Sequence, residues 1–151
     1  MTAITNTTVL STFPLIRDAI KANTDLAAKF NDNNIFEFEP QHKSASFKSF
    51  PYFLVEIPVM DSVKEVLNDV YTIKNFDVRV VLRVDYNARS KFRGYCEDFH
   101  KAIEDYASTF EASGYYEVLA DLIGTDSDTV INQKAIVEAE WVVSFRGQVI
   151  R

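Results

Sequence analysis

A single cysteine, Cys96, means that this chain of 151 residues cannot close an internal disulfide. It fits a reducing compartment without proving one. Glycine and proline are scarce, four of each, which argues against a disordered or loop-dominated chain. Histidine occurs twice, as His42 and His100. Neither has Cys, Asp or Glu around it at metal-ligand spacing. No run approaches the roughly 20 apolar residues of a membrane span. Met1 to Thr12 has neither the basic flank nor the apolar run of a secretory signal. Phosphate loop, dinucleotide fingerprint and nucleophile elbow are all missing. Cations are the minority, 16 against 22 carboxylates, for a net charge of −6. That is a poor footprint for gripping nucleic acid, which takes clustered Lys and Arg to displace counterions. Solubility is the plain use of such a charge. It also suits a wall that DNA slides past, because carboxylates repel phosphate.

What the chain does have is apolar and aromatic. Hydrophobic residues make up 47%, with twelve Phe and seven Tyr, a load that suits strands and buried interfaces. The length fits one domain over residues 1–151, large enough to fold without metal or disulfide. Residues 1–10 read as a flexible N-terminal arm. Ser11 or Thr12 can cap a helix in which Phe13, Ile16 and Ile20 share a face. Asn23-Thr24 breaks it, and Thr24 can cap a short helix with Leu26, Ala27 and Phe30. Asn31-Asp32-Asn33-Asn34 is a turn cluster.

Strands are expected at Ile35 to Phe38 and at Tyr52 to Ile57, the latter between Pro51 and Pro58. Pro40 to Ser49 reads as a polar loop. Ser62 to Leu67 with a return from Val70 reads as a hairpin about Asn68-Asp69. From Phe76 to Val84 apolar residues alternate with polar ones, which predicts a half-buried antiparallel strand. Asn87 can cap a long helix whose Phe92, Cys96, Phe99, Ile103, Tyr106 and Phe110 share one face, ending at Ser113-Gly114. Tyr116 to Ile123 is expected as one more short helix, stopped by Gly124, with Asp126-Ser127-Asp128 as a loop. Ala135 to Phe145 alternate in a final strand that buries Trp141 against the long helix. The expected fold is α+β: a mainly antiparallel sheet of about four to five strands, a long helix and short helices on one face, and a protruding β-hairpin.

Few residues invite chemistry. Cys96 lies on the apolar helix face and reads as a small hydrophobe. His100, beside that face, reads as a boundary residue. Asp126-Ser127-Asp128 lacks the Gly and Glu that a calcium loop needs at positions six and twelve. Glu138 and Glu140 share one strand face, as do Arg79 and Arg83. A solvated face or salt bridges to a neighbouring subunit is the default for the arginines, and DNA phosphate is the weaker alternative. No metal, cofactor or catalytic set is expected.

Three local patterns resemble, in the same order, the tail-terminator (tail-completion) proteins of long-tailed bacteriophages. They are Ile16-Arg17-Asp18-Ala19-Ile20 with Asp25-Leu26-Ala27-Ala28, then Phe50-Pro51-Tyr52 opening a strand, then Phe76-Asp77-Val78-Arg79-Val80 before a long helix and a late strand ending at Phe145-Arg146-Gly147. The likeness runs from Ile16 to Gly147. It implies a structural virion protein, not an enzyme. It further implies a homohexameric ring, assembled in the host cytoplasm, that caps the tail tube and joins it to the head-tail connector protein. The partners implied are other copies, the tail tube protein and that connector, with DNA passing through the lumen without specific binding and no membrane. The expected arm is Ser62 to Thr72, and the expected subunit interface takes in Val63, Val66, Val70, Tyr71, Arg79 and Arg83, because the apolar four would be wasted exposed on a monomer. Another neck or tail-tube ring component is the alternative among assembly proteins. A non-viral small α+β ligand-binding or regulatory domain is the alternative from a different class.

Overall fold

Asparagine chemistry sets up the first third of the fold. In the computed structural model, which describes residues 11–40, 50–66, 71–131 and 133–150, helix α1 runs over Thr12–Ala22 and buries Ile16, Ala19 and Ile20. Asn23 then ends α1 and caps α2 (Thr24–Ala27), its Oδ1 accepting the Leu26 N–H at 3.0 Å. Asn34 Oδ1 accepts the Asn31 N–H at 2.7 Å, while its Nδ2 donates to the Lys29 and Pro51 carbonyls. The polar cluster at Asn31 to Asn34 is therefore a turn that also ties strand β1 (Ile35–Phe36) to strand β2 (Tyr52–Val55).

Strand β3 (Val59–Val66) and the long strands β4 (Tyr71–Asp85), β5 (Tyr115–Ile131) and β6 (Lys134–Ile150) complete a six-stranded sheet. Its path is β1-β2-β4-β6-β5, and β3 also pairs with β4. Only β1 and β2 are parallel; the other pairs are antiparallel. The fold is α+β, as expected, with a mixed sheet. β2 and β3 share one side of β4, covering Val80–Arg83 and Thr72–Asp77 in turn. β6 covers the other side from Tyr71 to Asp85. After β4 comes a 3-10 turn (Tyr86–Lys91), then α3 (Phe92–Asp105) and α4 (Ala107–Ala112). Gly114 closes α4 at φ 102, a left-handed conformation that favours glycine.

Alternation in β4 and β6 decides the core. Phe76, Val78, Val80, Leu82 and Val84 meet Ala139, Trp141, Val143 and Phe145 beneath the helices, all buried. Trp141 packs on Phe99 with tilted rings at 4.6 Å between centres, and Phe99 on Phe53 likewise at 5.4 Å. Trp141 lies between sheet and long helix, as its alternating face requires. The opposite sheet face buries a smaller cluster of Tyr52, Leu54 and Val81 beside Phe36 and Phe50.

Two expectations at the end of the chain are overturned. Tyr116 to Ile123 is not a helix: it is the first half of β5, paired with β6 from Val118↔Phe145 to Leu122↔Trp141. Val118, Leu119, Leu122 and Ile123 fall at helical spacing, and pairing with β6 overrides that local preference. Asp126-Ser127-Asp128 is not a loop either, since β5 continues through it. Its turn chemistry survives inside the strand. Asp126 accepts from the Asp128 N–H at 2.7 Å and the Thr129 hydroxyl at 3.0 Å, where the register shifts. Asn87 is not the cap of the long helix: Asp85 Oδ1 accepts the Asn87 N–H at the head of the 3-10 turn, and α3 starts after Lys91 without a side-chain cap.

Candidate subunit interface

The residues singled out for chemistry are occupied elsewhere. Burial, helped by Glu97, pushes the Cys96 thiol up to about 12, so it is a poor nucleophile at neutral pH. His100 Nε2 accepts the Trp141 indole N–H at 2.9 Å, which makes it a boundary residue joining α3 to the sheet. Among the described residues, no three His, Cys, Asp or Glu side chains come together to hold a metal. None of the described helices is long and apolar enough to cross a membrane. His42 lies outside the described residues.

The sheet face away from the helices carries a charge ladder. Arg79 Nε donates to Glu140 at 2.6 Å and its Nη1 to Glu56 at 2.7 Å. Arg83 Nε donates to Glu138 at 2.8 Å, and its Nη1 reaches both Glu39 and the Tyr52 hydroxyl. Burial works against the Arg83 charge, but Glu138, Tyr52 and Glu39 outweigh it and raise its pKa. Arg79 and Arg83, expected at the subunit interface, are thus held by carboxylates of their own chain. Nearby is an open polar hollow of ≈360 Å³, lined by residues that include Asn75, Asp77, Glu117, Ser144 and Arg146. Ser144 donates to Asp77 there at 3.0 Å.

Three of the other expected interface residues, Val63, Val66 and Tyr71, lie in paired strands of the sheet. Val63 and Val66 lie in β3, and Tyr71 opens β4, with Val66↔Thr72 the last pair before the expected turn. Val70 and the turn itself lie outside the described residues. β5 begins opposite Gly147, so the pairs Tyr71↔Ile150 to Ile73↔Gln148 run past its end with no β5 alongside.

A long unpartnered feature is β5, which sequence reasoning missed. It ends the sheet, so one side of its 17 residues has no neighbouring strand among the described residues. Natural edge strands are guarded against pairing with another chain by charge, Lys above all, by Pro, by bulges or by short length, and β5 has acids and register shifts of that kind. β5 has no Lys, Arg or Pro. Leu119 (51%), Leu122 (48%), Ile123 (58%) and Val130 (65%) are about half exposed or more along it. Glu117, Asp121, Asp126 and Asp128 lie among them without a cation partner among the described residues. The sequence did hold a signal: Glu97 to Ile131 carries nine carboxylates and one cation, Lys101.

No protein-family model matches the chain, and no curated protein matches it.

Proposed function

We propose that this chain is a structural virion subunit, a tail-terminator-like protein whose copies close into a ring on the end of a tail tube. The observation that carries the proposal is the outer edge of β5: 17 residues long, with exposed apolar side chains and carboxylates that have no cation partner among the described residues. An edge of that kind is stable in water when another chain covers it, by strand addition or by packing. A ring supplies such cover to every copy through one repeated heterologous contact. The order of elements from Ile16 to Gly147, with its resemblance to tail terminators, supports the identity of the ring. On this reading the ring is a hexamer, docks to the tail tube protein below and to the head-tail connector above, and has no catalytic role. The net charge of −6 suits a lumen through which DNA passes without specific binding.

The test is particle size. Light scattering and negative-stain images of the purified protein, alone and with tail tubes, should show rings of six copies. Particles made without the protein should carry tails of unregulated length that do not join heads. A protein that stays monomeric at high concentration and ignores tube ends would overturn the proposal in favour of a small binding domain.

A further inference from the structure

The β5 edge has a counterpart on the same chain. Tyr86 to Cys96 holds three cations, Arg89, Lys91 and Arg93, and no acid. All three are exposed on the 3-10 turn and the start of α3. Arg89 lies over the Tyr86 ring at 4.2 Å. Lys91 and Arg93 have no ion-pair partner among the described residues. The chain therefore carries an acidic strand and a basic turn, and neither neutralises the other within one copy.

Register puts the basic turn and the Asp126 to Thr129 end of the acidic edge at the same end of the sheet, with Asp121 further along, opposite Val142. Asp85, which leads into the basic turn, is paired with Ile136. Ile136 is also the partner of Thr129, and Asp126 pairs with Glu138. The basic turn follows β4 and the acidic edge belongs to β5, with β6 between them. A neighbour related by rotation about an axis along the strands can present its turn to this edge without sliding along it.

Two glycines mark the same places independently. Gly94 follows Arg93 in the first turn of α3, and Gly124 sits in β5 at a register shift. Neither has a positive φ. A Cβ built at either meets nothing within 4 Å. Glycine weakens a helix and a strand alike; the register shift beside Gly124 is one setting that suits glycine, and no contact within this copy excludes a Cβ at Gly94. A second backbone approaching closely would require glycine.

We infer that the acidic outer edge of β5 in one copy docks against the Arg89 to Arg93 turn of a second copy, with Gly94 and Gly124 leaving room for the approach. The inference rests on the ring proposed above and names its partner surface. The contact joins two different patches, so it propagates around a ring and does not stop at a two-fold dimer.

Charge reversal tests it. One variant carries Asp121→Lys and Asp128→Lys; Asp126 is kept because its carboxylate holds the strand's irregularity. The other carries Lys91→Glu and Arg93→Glu. Each alone should stay folded by circular dichroism and run as a monomer. Mixed in equal amounts, they should assemble, because each then offers the surface the other lacks. Association of the wild type should weaken about tenfold or more as salt rises and screens the contact. Gly94→Ala and Gly124→Ala should keep or raise the melting temperature and still weaken assembly. If a reversal variant misfolds, Asp→Asn and Lys→Gln neutralisation at the same sites should weaken assembly without unfolding. Wild-type rings that persist in both reversal variants overturn this docking and leave the ring standing. A wild type that never assembles overturns the ring, and the docking with it.

Discussion

β5 and β6 are each 17 residues long and bonded to each other from Tyr115↔Gly147 to Ile131↔Lys134. β6 buries Ala139, Trp141, Val143 and Phe145 under the helices and pairs Glu138 and Glu140 with arginines on its other face. β5 is exposed at every residue from Asp121 to Asp128. The difference is position in the sheet. β6 has a strand on both sides and helices above, so its side chains have fixed partners. β5 has a strand on one side only. Strand formation and burial are thus separate properties here: β5 is buried at Tyr115, and from Asp121 to Asp128 it keeps the first without the second.

The contrast breaks first at Trp141. Trp141→Ala removes the ring that joins β6 to Phe99 and leaves His100 Nε2 without its donor. We expect a loss of about 3–5 kcal/mol in urea denaturation. A normal midpoint would mean that β6 does not hold the core.

Alkaline unfolding probes buried groups on both faces of the sheet. Burial pushes Tyr115 up to about 12 from 10.0. Burial does the same for Tyr52, against the pull of Arg83. Burial and Glu97 push Cys96 up to about 12 from 9.0. The unfolded chain gives up these protons first, so it binds fewer of them and stability falls as pH rises. Their contribution should be complete below about pH 9 and decline between there and pH 12. Melting temperatures that stay flat across that window would contradict the burial of these groups.

Next comes the ladder. The Arg83 and Glu138 side chains are 11% and 17% exposed, whereas those of Arg79 and Glu140 are 37% and 32% exposed. Arg83→Ala leaves a largely buried carboxylate uncompensated and should cost about 1–3 kcal/mol. Arg79→Ala acts on a more solvated pair and should cost under about 1 kcal/mol. Equal costs in denaturation curves would remove the distinction.

The smallest stability effect belongs to β5. Ile123→Ser should change the monomer by no more than about 0.5 kcal/mol, because the residue already faces water. Its effect should appear in sedimentation instead, as weaker self-association. A large loss of monomer stability would place Ile123 in the core after all.

Legibility followed burial. The alternation in Phe76 to Val84 and in Ala135 to Phe145 announced β4 and β6, because one buried face imposes a period of two. The helical spacing of Phe99, Ile103 and Phe110 announced the helices above them. β5 offered no such constraint. Val118, Leu119, Leu122 and Ile123 fit helical spacing as well as strand spacing, and the Asx chemistry of Asp126 suggested a loop where the structure has an irregular strand. The basic turn was visible as Arg89, Lys91 and Arg93, but its acidic counterpart was divided between a supposed helix and a supposed loop.

The sequence by itself determined the class of fold, the residues of the core, the place of Trp141 and the poor prospects of Cys96 and His100 as reactive groups. Each follows from local periodicity or from the kind of side chain present. Only the tertiary structure decided that β5 is a strand, that it lies at the sheet's edge and that Arg79 and Arg83 are paired within the chain. The reason is that strand pairing is a non-local contact. A residue's fate in a sheet depends on which distant strand lies beside it, and an exposed edge imposes no period of two on its own side chains.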